Sequence, residues 1–219
     1  IGAGIFVLTG KVAGEAGIFA PLAFLVASVL AGLAALSFAE MVSRFPESGG
    51  EAVYVKEGLG SDRLALLTGS LVILAGLVST STIIVGFSGY LGDLTAMPPA
   101  AAKIGITVLL GMIAFWGVRE SVTVAALVTV AEIGVLVVII GFGVPQLTTE
   151  TIGTVARGQV FDGAAGIGVI SGAVLAFYAF IGFEDIVNVA EETEDAPRVV
   201  PRAIVLTLIV TCVLYVLIS

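Results

Sequence analysis

The 219 residues are 58% hydrophobic and only 12% charged, against roughly 25% charged in a soluble domain, so this chain cannot solvate its own surface and belongs in a membrane. Its net charge of −8 offers no basic footprint for nucleic acid. With no histidine and one cysteine, Cys212, it has no means for His-dependent catalysis, His-ligated metal, a disulfide framework or a Cys-based metal site, and no cofactor is expected.

A membrane helix needs about 20 mainly apolar residues, and the chain offers them in series. Ile1 to Ala13 is too short alone and reads as the outer half of a first span. No charge falls between Glu15 and Glu40, which gives a full second span. Phe45-Pro46-Glu47-Ser48-Gly49-Gly50 then breaks the helix, and Glu51 to Leu59 mixes apolar and charged residues in the manner of a short interfacial helix. Arg63 to Asp93 encloses a third span, long enough to tilt. Ile104 to Val118 is a short fourth, helped by Met97 to Ala102 and a snorkelling Lys103. Ser121 to Pro145 is a fifth, interrupted by Glu132, Gly163 to Phe183 a sixth, and Ala203 to Ser219 begins a seventh. A chain that opens without Met and closes inside an apolar run reads as a piece of a longer protein at both ends. Arg44, Lys56, Arg63, Arg119, Arg198 and Arg202 would share one side, and Lys11, Lys103 and Arg157 the other. The excess of positive charge assigns the first side to the cytoplasm.

Two segments interrupt hydrophobic helix without a polar reason. In lipid, unwound backbone is tolerated only where it lines a cavity or is buried in protein, and two such interruptions in separate halves of a transporter point to a site near the bilayer midplane. At Ile1-Gly2-Ala3-Gly4-Ile5-Phe6 the glycines permit close approach to the main chain. A helix resuming there presents the N–H groups of Ala3, Gly4 and Ile5 at its positive end, ready for a carboxylate. At Tyr178-Ala179-Phe180-Ile181-Gly182-Phe183-Glu184 a helix ending near Ala179 leaves carbonyls that suit an ammonium. Together they describe a trap for a zwitterion, of which an α-amino acid is the simplest. Taken singly, the same glycines are as well explained by close helix packing.

These segments resemble the motifs of the amino acid–polyamine–organocation superfamily of permeases. The opening Ile1-Gly2-Ala3-Gly4-Ile5-Phe6 matches first. Ala39-Glu40-Met41 with Phe45 to Gly50 and Tyr54, Phe177 to Glu184, Ala190-Glu191-Glu192 and Pro197 to Ile204 follow. The branch is that of cationic amino acid transporters and their prokaryotic relatives. The resemblance implies an all-α membrane protein of leucine-transporter-like fold, two inverted five-helix repeats with discontinuous first and sixth helices. Residues 1–144 would be most of the first repeat, spans one to five, and 163–219 the start of the second, spans six and seven. It implies that a substrate carboxylate meets the amides of Ala3 and Gly4 and that its amino group meets carbonyls near Tyr178 and Ile181, within a substrate-binding set of Gly2, Ala3, Gly4, Ile5, Tyr178, Ala179, Phe180, Ile181 and Gly182. Tyr178 would act as an aromatic gate, and Glu184 matches a position linked to gating.

An ionisable residue within a span is a functional hypothesis by default. Some proton-coupled relatives carry a lysine on the fifth helix; here Glu132 stands nearest that place, and a carboxylate can bind and release a proton or help hold a cation. Ser79-Thr80-Ser81-Thr82 either line a cavity or bond to the preceding turn, with the second favoured, and Trp116 reads as an interface anchor. The expected function is amino acid permeation across the plasma membrane by alternating access, as proton symport or exchange. The alternatives are a passive channel or a sodium-coupled carrier of another small amine. A channel wants rings of charge or a filter motif, and an enzyme wants a clustered catalytic set; neither is visible.

Overall fold

The computed structural model describes residues 1–95, 97–143, 153 and 163–219. Arg157 and Pro145, used above for orientation and for a span end, lie outside the described residues. Among those residues the chain forms eight α-helices: α1 (Ala3–Ala16), α2 (Ala20–Arg44), α3 (Gly50–Leu59), α4 (Asp62–Thr95), α5 (Pro99–Trp116), α6 (Val118–Gly143), α7 (Gly163–Phe180) and α8 (Ala196–Ile218). Two short 3₁₀ segments, Gly17–Phe19 and Glu184–Val189, complete it.

Among the described residues six stretches are long and apolar enough to cross a membrane, the first of them running from Gly4 to Arg44 through the 3₁₀ turn. Gly17 takes φ +57 there, so the first partial span passes into the second with no polar loop. Several expected span ends move, three of them for a visible reason. The fourth helix stops at Trp116 rather than Val118, because Gly117 at φ +139 turns the chain. The sixth stops at Phe180, three residues short of Phe183. The last starts at Ala196 instead of Ala203, since Pro197 fits a first helical turn. Pro201 sits close enough to that start to be carried. The α5–α6 corner leaves the Ile113 carbonyl without its helical donor, and Ser121 Oγ donates to it at 3.1 Å.

The core lies among α1, α2, α7 and α8. One face of α2 is a stripe of alanines, Ala23, Ala27, Ala31, Ala35 and Ala39, all buried. Small residues at this spacing let backbones approach closely where lipid tails supply no hydrophobic drive between helices. Helix α7 answers with Gly168 and Gly172: a Cβ on Gly168 would sit 2.4 Å from the Glu15 carbonyl oxygen, and one on Gly172 3.2 Å from the Ala16 and Ala23 methyls. Helices α4, α5 and α6 are mostly exposed. Phe115 at 94% exposed and Trp116 at 77% show how apolar that outer face is.

Candidate functional site

One helix starts and another ends where the two glycine segments stand. Helix α1 starts at Ala3, with Gly2 fully extended at its N-terminus. Gly4 packs on the end of α7: a Cβ there would lie 3.1 Å from the Ala179 Cα. Packing therefore explains Gly4, while a Cβ on Gly2 would meet nothing within 4 Å. At the other interruption α7 ends at Phe180 and Gly182 takes φ +119, a region that L side chains rarely adopt.

Both segments line one cavity of about 250 Å³, smaller than the clefts of ~300–1,000 Å³ that take drug-sized ligands. Gly2 and Gly4 face it from one side; Tyr178, Ala179, Phe180, Ile181 and Gly182 face it from the other. The start of α1 brings N–H groups and positive dipole, and the end of α7 brings carbonyls and negative dipole. Of the remaining expected residues, Ile5 is buried in the core. Glu184 stands behind the cavity wall: its carboxylate accepts the Gly182 N–H at 2.8 Å, so it fixes the shape of the interruption.

Two of the terminal α7 carbonyls already have donors. Tyr178 O accepts from the Ile181 N–H at 3.3 Å, and Ala179 O accepts from the Tyr215 hydroxyl at 3.1 Å. A carbonyl has two lone pairs, so each retains acceptor capacity. Tyr215 is fully buried against Phe24 and Phe180, with ring centroids 5.8 and 5.1 Å away, and it anchors the end of α7.

Several lining residues escaped the sequence reading: Ile83, Asp185, Thr207 and Thr211. The Ser79 to Thr82 run divides. Ser81 and Thr82 donate to Leu77 O and Val78 O, as favoured. Ser79 instead lines the cavity, its Oγ 3.3 Å from the Tyr178 hydroxyl. Asp185 was visible only as the neighbour of Glu184, yet it is the carboxylate on the cavity wall.

Glu132 lines a second, mainly apolar cavity of about 460 Å³ with Phe6, Lys11 and Tyr90. Gly4, Ile83 and Tyr178 border both cavities, so a thin wall separates Glu132 from the interruptions. Among the described residues no group of three or more His, Cys, Asp or Glu side chains is placed to hold a metal ion.

Comparison with known proteins gives a consistent picture. The family model for amino acid permeases matches residues 1–219. The branched-chain amino acid permease BcaP of Bacillus subtilis (strain 168) is 31% identical over 240 residues, covering 100% of this chain and 50% of that protein. The vacuolar cationic amino acid transporter 4 of Arabidopsis thaliana is 30% identical over 239 residues, covering 100% of this chain and 40% of that protein. The mitochondrial cationic amino acid transporter 3 of the same plant is 30% identical over 242 residues, covering 100% and 39%. The chain thus spans half or less of the length of these relatives.

Proposed function

Since this chain belongs to the amino acid permease family along its whole length, we propose that the protein carrying it moves amino acids across a membrane by alternating access. One observation carries the reading. The start of α1 and the end of α7, far apart in sequence, meet at a single cavity, so the N–H end of one helix and the carbonyl end of another border it. That polarity fits a carboxylate and an ammonium on one small molecule. The substrate carboxylate meets the amides of Ala3 and Gly4; its amino group meets the carbonyls near Tyr178 and Ile181, with Asp185 adding negative charge at that end. Tyr178 closes over the bound molecule from a position already bonded to Ser79.

The relatives' names run from branched-chain to cationic amino acids and from vacuolar to mitochondrial transporters. We assign this protein to the plasma membrane, on the sequence reading, with proton symport or exchange as its mode. The test is competition uptake by the full-length protein in proteoliposomes, with a panel of neutral and cationic amino acids under proton, sodium and no gradient. Saturable uptake with counter-flow is expected. Uptake that never saturates and shows no counter-flow assigns a passive pore; dependence on sodium alone assigns a different coupling ion.

A further inference from the structure

Behind the cavity three aromatic rings stand in a column. Phe183 lines the cavity and is 7% exposed. Its ring meets Phe38 of α2 edge-on at 5.9 Å. Phe38 in turn meets Tyr54 of α3 edge-on at 6.2 Å. The column runs from the cavity wall to α3, the short helix outside the six spans.

Helix α3 is fastened to the chain just beyond the second interruption. Ser48 donates its N–H to the Glu191 carboxylate at 3.1 Å, and the Glu191 N–H donates back to Ser48 Oγ at 3.1 Å. The Ser48 hydroxyl also reaches Glu192 Oε2 at 3.4 Å. One turn away Gly50, at φ +47, lies so close to the 3₁₀ segment that a Cβ would be 3.1 Å from both Val187 Cγ2 and Asn188 Oδ1. The two motifs thus joined are 143 residues apart in the chain.

One feature of the column is out of balance. Among the described residues the Tyr54 hydroxyl is buried without a hydrogen-bond partner, which costs free energy that the rest of the structure must offset. Burial and the neighbouring Glu51 charge push its ionisation up to about 12, so the group stays a neutral donor at physiological pH.

We propose that Phe183, Phe38 and Tyr54 form the gate that closes the cavity on the α3 side, that Ser48 with Glu191 and Glu192 latches it shut, and that the sealed Tyr54 hydroxyl biases it to open. The inference rests on the alternating-access reading above. The latch stabilises the closed arrangement, and the unpaired hydroxyl destabilises it until opening brings water to it. The two contributions have opposite signs, which makes the arrangement a two-state element that bound substrate can tip. Phe38, Tyr54 and Ser48 are positioning residues, because they act through Phe183.

The sign difference supplies the test. In the full-length protein with all cysteines replaced, Cys212→Ser among them, Thr207→Cys places a thiol on the cavity wall. An impermeant methanethiosulfonate reagent is applied to the α3 side of proteoliposomes, with exposed Glu57→Cys reporting that side. Ser48→Ala is expected to raise the labelling rate at position 207 about fivefold, the population change for one ordinary hydrogen bond. Tyr54→Phe, which keeps the ring and removes the hydroxyl, is expected to lower it by about the same factor, and the double variant to restore the starting rate. Glu191→Gln, which keeps the shape of the latch, replaces Ser48→Ala if that variant fails to fold. Shifts of the same sign, or a reporter unmoved by either substitution while Glu57→Cys is labelled, overturn the gate. Uptake by the cysteine-free parent is measured in the same vesicles. Normal uptake with unmoved labelling sinks the gate alone, whereas responsive labelling without uptake or counter-flow sinks the transport reading alone.

Discussion

Gly182 and Gly2 look alike in the sequence, each a glycine next to an interruption, but they meet different physical demands. Gly182 sits at φ +119, and a Cβ there would meet nothing within 4 Å. Any cost of Gly182→Ala is therefore a backbone cost, on the order of 1–3 kcal/mol for a residue held in such a region. The hydrogen bond from its N–H to Glu184 would be lost or bent as the turn relaxed. Gly2 is extended at φ −177 with the same open surroundings, a conformation any residue adopts. Gly182→Ala is expected to lower the melting temperature of the detergent-purified protein and to abolish saturable uptake, while Gly2→Ala leaves the melting temperature unchanged. Equal melting temperatures for both variants and the parent would show that the turn at Gly182 is not held in this conformation.

At the scale of helices, packing turns on side chains that are missing. Gly168 and Gly172 let α7 lie against α1 and α2 at a distance that even a methyl group obstructs. Gly168→Ala forces its new methyl against the Glu15 carbonyl, an overpacking that costs about 1–3 kcal/mol. Gly76 of α4 has nothing within 4 Å of its would-be Cβ, and Gly76→Ala gains helix propensity of about 1 kcal/mol. A scan of melting temperatures is expected to drop for the first and hold or rise for the second; the reverse order would put the tight helix pair elsewhere. The contrast also marks what the sequence makes legible. Helices were readable because some twenty consecutive apolar residues have one outcome in lipid. Their ends were less so: Trp116, Phe180 and Ala196 are set by Gly117, Gly182 and Pro197, whose effect depends on local backbone geometry. The glycine segments named the two walls of the cavity. Asp185 and Thr211 were hidden, and Ser79 was weighed as a cavity residue without being favoured, since which face of a helix turns inward depends on neighbours that periodicity does not identify in a uniformly apolar chain. Contacts between distant segments, such as Tyr215 with Ala179 or Ser48 with Glu191, leave no local pattern at all.

For the molecule as a whole, the question is how an ion gradient would be felt at the proposed substrate cavity. Glu132 lies on α6, outside the cavity of the interruptions, and its own cavity shares Gly4, Ile83 and Tyr178 with it. A carboxylate inside a span is costly when charged and is tolerated where it serves a pathway or a partner. Lys11 and the apolar side chains of Phe6, Val7 and Phe87 share that lining with it. A change of protonation at Glu132 therefore alters the field behind the Tyr178 ring and the start of α1, the two groups expected to hold and cover the substrate. If that is the coupling route, Glu132→Gln, which mimics the protonated form permanently, removes the proton step without removing the site. In proteoliposomes of the full-length protein it is expected to abolish pH-driven accumulation while sparing exchange of internal for external amino acid. Accumulation that still follows the pH gradient in Glu132→Gln would take Glu132 out of the mechanism and leave its cavity as space between packed helices.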